Sequence, residues 1–306
     1  MREVDADGLC PARTGENAGG AASRLKPDMH WLLRGGKILC VSPFCVMGIV
    51  NITPDSFYDG GAHNTPASAV RRCLRLLEQG ARILDLGAQS SRPGARELAP
   101  EEEQARLLPV LRGLHEHPLG REAALSIDTY RASTARLALE AGADIINDIS
   151  ACAFDPELLE TLAEHKPGYV LMHCQGRPAD MQEDPGYAHV VDEVLYFFER
   201  RLARLCKAGL AEQNIVLDPG IGFGKRLEDN TALLRAMPRL CGLGRPLLIG
   251  LSMKSLFGDL LGLAPEQRGP ATQIATALLA AQGVPLHRVH DVAGALDALR
   301  LAQALS

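Results

Sequence analysis

Eight polar residues, Asn51, Asp85, Asp128, Asn147, His173, Asp218, Lys254 and His290, each stand at or near the end of a different short run of β-branched or aliphatic residues. Their types complement one another. A carboxylate accepts a pair of N–H bonds from the edge of an amino-substituted ring, and an amide both donates and accepts. Asp128, Asn147, Asp218 and Lys254 therefore form a mixed set suited to a flat nitrogen heterocycle. Ser90-Ser91-Arg92 and Arg288-Val289-His290 add hydroxyls and cations, the groups that hold phosphate. The chemistry implied is a two-part site, carboxylates for a ring and cations for an anion. Any one strand-end Asp or Asn has a plainer reading as a turn or cap residue. Eight successive units that all end this way favour a shared rim.

The runs lie at 45–50, 82–87, 123–127, 144–149, 168–172, 214–217, 246–251 and 287–289, with helical-period stretches between them. A strand–helix repeat of about 35 residues implies parallel strands joined by crossover helices. Eight such units make an α/β fold of the (β/α)8 barrel type, whose rim at the strand C-termini holds the active site. A doubly wound open sheet is the alternative. Helix signals support the reading: Thr65-Pro66 opens one that runs to Gly80, Pro100-Glu101-Glu102-Glu103 puts acids in the first turn of the next, and 187–206 carries an i, i+3, i+4 apolar stripe. Residues 31–41 read as a short hairpin plugging the barrel floor. Residues 1–29, rich in Gly, Ala and acids, read as a flexible arm, which leaves 30–306 as one barrel domain.

Of the 306 residues, 46% are hydrophobic, enough for a large core, and the net charge of −5 offers no basic excess for nucleic acid or an anionic membrane. The longest near-apolar run, 38–50, is broken by Ser42-Pro43 and too short to span a bilayer. Eight scattered cysteines without a C-x-x-C pattern read as reduced thiols of a cytoplasmic protein. Some motifs fail on inspection. The run Pro219-Gly-Ile-Gly-Phe-Gly-Lys225 lacks the Gly at its start and the Ser or Thr after Lys225 that a phosphate loop needs. His173 and Cys174 are adjacent, so in a strand they face opposite sides and make no nucleophile–base pair.

Taken together, Gly48-Ile-Val-Asn-Ile-Thr-Pro-Asp-Ser-Phe57 and Asp85-Leu-Gly-Ala-Gln-Ser-Ser-Arg-Pro-Gly-Ala95 resemble the two signatures of dihydropteroate synthases. Ser126-Ile-Asp-Thr129, Asn147-Asp148, Met172-His173, Asp218 to Lys225, Gly250 to Ser255 and Arg288 to Asp291 follow in the family's order. The resemblance implies a folate-synthesis barrel that joins 6-hydroxymethyl-7,8-dihydropterin diphosphate to 4-aminobenzoate. Carried over by position, Asn51 is similar to a Mg²⁺ ligand. Asp128, Asn147, Asp218 and Lys254 match the pterin pocket, with Met172 and Phe223 lining it. Ser91, Arg92, Arg288 and His290 match positions near the diphosphate, and Lys254, Arg288 and His290 are the implied catalytic set. The segments 53–61 and 88–95 resemble mobile loops that close over the second substrate. The resemblance further implies small-molecule partners only, and a homodimer.

The chain departs from the usual pattern at Gln89, where relatives carry Glu, and at Met253, where they carry Arg. These departures bear on aminobenzoate and sulfonamide affinity more than on the ring pocket. Loss of one charge of each sign suggests that the two face each other, since removing one partner alone strands a charge. A pterin-dependent corrinoid methyltransferase would share the ring-reading residues without needing the anion-holding ones. A degenerate pterin-binding paralogue would have lost Asn51, Asp218 or Lys254, and all three are present.

Overall fold

The computed structural model describes residues 29–52, 65–89 and 97–305. Residues 1–28 of the arm expected over 1–29, the segments 53–64 and 90–96, and Ser306 lie outside the described residues. A hairpin of β1 (His30–Leu32) and β2 (Ile38–Cys40) comes first, antiparallel as its span predicts. There follow β3 (Cys45–Asn51), α1 (Pro66–Glu78), β4 (Ile83–Gly87), α2 (Pro100–Glu116), α3 (Pro118–Glu122), β5 (Ala124–Asp128), α4 (Ala132–Glu140) and β6 (Ile145–Asp148). The second half runs α5 (Leu158–His165), β7 (Gly168–Met172), α6 (Val190–Ala208), β8 (Ile215–Asp218), α7 (Leu227–Arg235), α8 (Met237–Cys241) and β9 (Leu248–Ile249). Then come α9 (Leu256–Leu261), α10 (Arg268–Ala281), β10 (Leu286–Val289) and α11 (Val292–Ala304).

Strands β3 to β10 pair in parallel in the order β8-β7-β6-β5-β4-β3-β10-β9, and a bridge between Leu217 and Leu247 closes the ring. The fold is the (β/α)8 barrel. The seventh barrel strand, Leu248–Ile249, is far shorter than the run 246–251. Helix starts follow their local signals. Thr65 Oγ1 accepts from the Ser68 amide and the Ser68 hydroxyl returns to Thr65, a capping box with Pro66 in the first turn.

Period-two alternation sorts each strand into a helix-facing and an inward-facing set. Val46, Leu84, Leu125, Ile146, Leu171 and Leu217 pack outward under the helices. Met47, Ile83, Ala124, Ile145, Val170, Val216, Leu248 and Leu286 point inward and form one dry layer at the base. Trp31 and Leu33 seal that layer from below, both essentially inaccessible to solvent. The Trp31 indole donates to the Asn214 carbonyl (2.7 Å), and the Asn214 amide donates back to Leu32 O (3.0 Å). Gly168 permits this close approach, since a Cβ there would stand 2.6 Å from the Leu33 side chain. The hairpin is thus the barrel's floor.

Candidate active site

Two or four residues above the apolar layer, the same inward-facing rows turn polar. Ile83 gives way to Asp85 and then Gly87, Ala124 to Ser126 and Asp128, Ile145 to Asn147, Val216 to Asp218, and Leu286 to Arg288. Arg288 is the centre of this tier. Its Nε donates to Asp85 Oδ2 and its Nη2 to Asp128 Oδ2, each at 2.6 Å. Asp85, fully buried, also accepts from the Ser126 hydroxyl (2.6 Å) and the Asn147 amide (3.0 Å). Such a group is tolerated in the interior only because it has a counter-ion and several donors. Burial pushes the Asp128 carboxyl up to about 7, with Arg288 opposing the rise. Arg288 itself is held firmly charged by its two carboxylates, against its desolvation. Ser126 entered the sequence reading only within the motif Ser126-Ile-Asp-Thr129, with no role of its own. Its signal was its place two residues before Asp128, on the same face of the strand.

Across the mouth, Asp218 ends β8 beside Met172, its partner in the ladder. The Gly220 amide donates to Asp218 Oδ1 at 2.7 Å. Burial raises the Asp218 pKa while Lys254 opposes. Lys254 moves the other way: desolvation lowers it to about 8, and Asp218 holds it up against that. The Lys254 ammonium donates to the Ile221 carbonyl and stands 4.8 Å from the centre of the Phe223 ring. Met253 precedes it in the left-handed region (φ 62), unusual for a residue with a side chain. The Met253 amide donates to Thr272 Oγ1 and Arg268 donates to its carbonyl, which fixes the turn that brings Lys254 inward.

At the rim, His290 Nδ1 lies 2.9 Å from Ser252 Oγ, and Arg72 donates to the His290 carbonyl. Asn51 ends β3 half-buried, and among the described residues none is hydrogen-bonded to its side chain. Gly87 sits beside it: a Cβ there would lie 3.9 Å from Asn51 Oδ1 and 3.7 Å from Asp128 Oδ2. Ser91 and Arg92 lie outside the described residues. The remaining site residues of the sequence, Asn51, Asp128, Asn147, Met172, Asp218, Phe223, Lys254, Arg288 and His290, all fall at the strand ends or in the loops that follow them.

Two expectations change. His173 belongs to the rim by position, but its ring turns away from the inward row and packs edge-on against Phe197 of α6 at 4.7 Å. The facing of Gln89 and Met253 also fails. They follow β4 and β9, three strand positions apart in the ring order, and Gln89 has a cation of its own. Arg131 Nη1 donates to Gln89 Oε1 (2.9 Å) and to buried Glu103 (2.9 Å), and Gln89 Nε2 donates to the Tyr130 hydroxyl (3.2 Å). A sequence comparison sees two charges lost; it does not see that the position of Gln89 already meets a cation from the neighbouring strand end, Arg131.

The model of the pterin-binding enzyme family matches residues 47–290. Dihydropteroate synthase of Synechocystis is 41% identical over 261 residues, 85% of this chain and 89% of that protein. Among solved structures, Yersinia pestis dihydropteroate synthase in complex with a sulfonamide drug superposes with a TM-score of 0.84 at 39% identity, covering 90% of this chain and 99% of its own. Xanthomonas albilineans dihydropteroate synthase with 4-aminobenzoic acid gives 0.82 at 43%, covering 90% and 98%.

Proposed function

This chain belongs to the pterin-binding enzymes, and from that premise we propose that it is a dihydropteroate synthase. It joins 6-hydroxymethyl-7,8-dihydropterin diphosphate to 4-aminobenzoate and releases diphosphate. The observation that carries this reading is the convergence of two charged groups in one barrel mouth. Asp218 and Lys254 lie on one side and the Asp85–Arg288–Asp128 chain on the other, close enough for the Arg288 charge to act on both Asp218 and Lys254.

Asp218 and Asn147 read the donor–acceptor edge of the pterin, with Met172 and Phe223 against its faces. Arg288, positioned by Asp85, holds Asp128 toward the ring. Lys254 completes the ring pocket beside Asp218, while Arg288, His290, Ser91 and Arg92 attract the diphosphate, and cations near a leaving group stabilise the charge that grows on it as the C–O bond breaks. The carboxylates favour the positive charge left on the exocyclic carbon, so the displacement is SN1-like. The aminobenzoate nitrogen then supplies the electron pair for the new C–N bond and gives up a proton.

Mg²⁺ fits the Asn51 position, an amide oxygen without a protein partner among the described residues. The described residues offer no cluster of three His, Cys, Asp or Glu side chains for a metal, which suits an ion that takes its other ligands from water and phosphate. When bound, Mg²⁺ would add Lewis-acid stabilisation of the departing diphosphate.

Exposed Ile274 and Leu278 of α10 and Leu301 of α11 lie on two helices packed together, and Leu305 follows α11; this apolar surface supports a homodimer. Every described cysteine is free, and none of the described helices is long and apolar enough to cross a membrane, which supports a cytoplasmic setting. Incubation with both substrates and Mg²⁺ should release diphosphate in step with dihydropteroate. Tight pterin binding without any release would defeat the reading as a synthase. A steep fall in rate with electron-withdrawing groups on the aminobenzoate, at saturating pterin, would count against the SN1-like step.

A further inference from the structure

Lys225 closes the glycine-rich run 219–225, where a phosphate loop would aim its lysine at an anion. Here the side chain turns inward and is 3% exposed. Its ammonium lies 2.9 Å from Nδ1 of His173 and donates to the carbonyls of Gly220 (3.0 Å), Phe223 (3.0 Å) and His173 (3.3 Å). Three protons among four acceptors leave nothing to offer a ligand. Desolvation lowers both Lys225, to about 7, and His173, to about 3, so the imidazole is neutral, and with its proton on Nε2 its Nδ1 accepts from the Lys225 ammonium.

The acceptors come from two chain segments whose backbones touch. Gly220 and Gly224 both have positive φ, and a Cβ at either would fall about 2 Å from a carbonyl oxygen, that of His173 or of Gln175. Tyr187 and Gln182 side chains donate to the Gly224 and Gly222 carbonyls from behind, at 2.8 and 2.7 Å. On the pocket side, the same loop offers the Ile221 carbonyl and the Phe223 ring to Lys254. Lys225 thus holds the rear of the loop whose front forms one wall of the pocket.

We propose that Lys225 is a positioning residue for the pterin pocket. By gathering the His173 ring and the carbonyls of His173, Gly220 and Phe223 around one ammonium, it fixes the placement of Phe223 and Lys254 and so sets affinity for the ring without touching it. This rests on the reading of the mouth as a pterin site.

The test is the affinity of 6-hydroxymethyl-7,8-dihydropterin, the ring without its diphosphate, measured by calorimetry beside the KM for aminobenzoate at saturating pterin diphosphate. Lys225→Met and His173→Leu should each weaken ring binding by about tenfold or more, since each strands buried polar groups. His173→Asn places an amide oxygen near the lost Nδ1 and should restore affinity to within about threefold of wild type, with the aminobenzoate KM unchanged within about twofold in every variant. Wild-type ring affinity in folded Lys225→Met would overturn the proposal. So would His173→Asn performing no better than His173→Leu, or a rise in the aminobenzoate KM in step with the loss of ring binding. If Lys225→Met does not fold, the two His173 variants decide alone. Absence of ring binding by the wild type would instead overturn the pterin reading, and this inference with it.

Discussion

At the floor of the barrel, Met47, Ile83, Val170 and Leu286 close on Trp31 in a dry layer. Its polar contacts include the indole N–H on the Asn214 carbonyl and the Asn214 amide on the Leu32 carbonyl. At the mouth, a few residues further along the same strands, Asp85, Asp128 and Arg288 form a chain of two short ion pairs. The strand, the face and the backbone ladder are shared; only the height differs. A barrel strand therefore divides its labour along its length, with its first inward residue contributing to the core and its last reserved for chemistry. The mouth can hold buried charges because each has a partner of opposite sign and further hydrogen bonds, whereas the apolar floor needs neither.

The sharpest way to break that division is Arg288→Ala. It leaves Asp85 and Asp128 without their cation and should cost about 3–5 kcal/mol of stability, the usual range for stranding a buried charge. It should also lower kcat/KM by at least about a hundredfold. Denaturant melts and turnover on the same preparation check both. Full stability would mean that the carboxylates find other partners.

Trp31→Ala attacks the opposite end. The expected cost is about 3–5 kcal/mol from the cavity left in the floor, while kcat/KM of the folded fraction stays within about threefold, because the two tiers share no side chain. A large drop in kcat/KM would show that the floor sets the mouth's geometry.

A third effect is confined to the mouth. Desolvation holds Lys254 at about 8, so it is charged below that pH and neutral above it. Affinity for the pterin diphosphate should therefore weaken as pH rises past about 8, in calorimetric titrations kept above the value of about 7 at which Asp128 ionises. Weakening in the opposite direction would remove Lys254 as the titrating cation.

The smallest change expected is from Gln89→Glu. Its side chain meets Arg131, which already has Glu103 and Glu97, so an added carboxylate should shift stability by less than about 1 kcal/mol. Adding Met253→Arg should make no further difference to the melting temperature. A double variant more stable than the sum of its singles would restore the abandoned pairing.

Local signals carried much of this molecule. The hairpin at 31–41, the helix opened at Thr65-Pro66 and the stripe of α6 all appear where spacing puts them. The site was half legible. Asp128, Asn147, Asp218 and Lys254 announce themselves as polar residues at or near strand ends. Ser126 did not, because a serine inside a strand looks ordinary until its face is counted. His173 misled for a related reason: the strand ends at Met172, and past that point alternation no longer dictates direction.

By itself, the sequence determined the eight-fold alternation, the polarity of each strand along its length and the residue types available to the mouth. These are short-range properties, written in the period of the pattern. Only the tertiary structure decided the partners. Arg288 reaches Asp85 from 203 positions away in the chain, Gln89 answers to Arg131 rather than Met253, and Lys225 turns inward to His173. Ring closure brings distant strands within hydrogen-bonding reach, and once there a buried charge settles on whichever counter-charge desolvation makes most favourable.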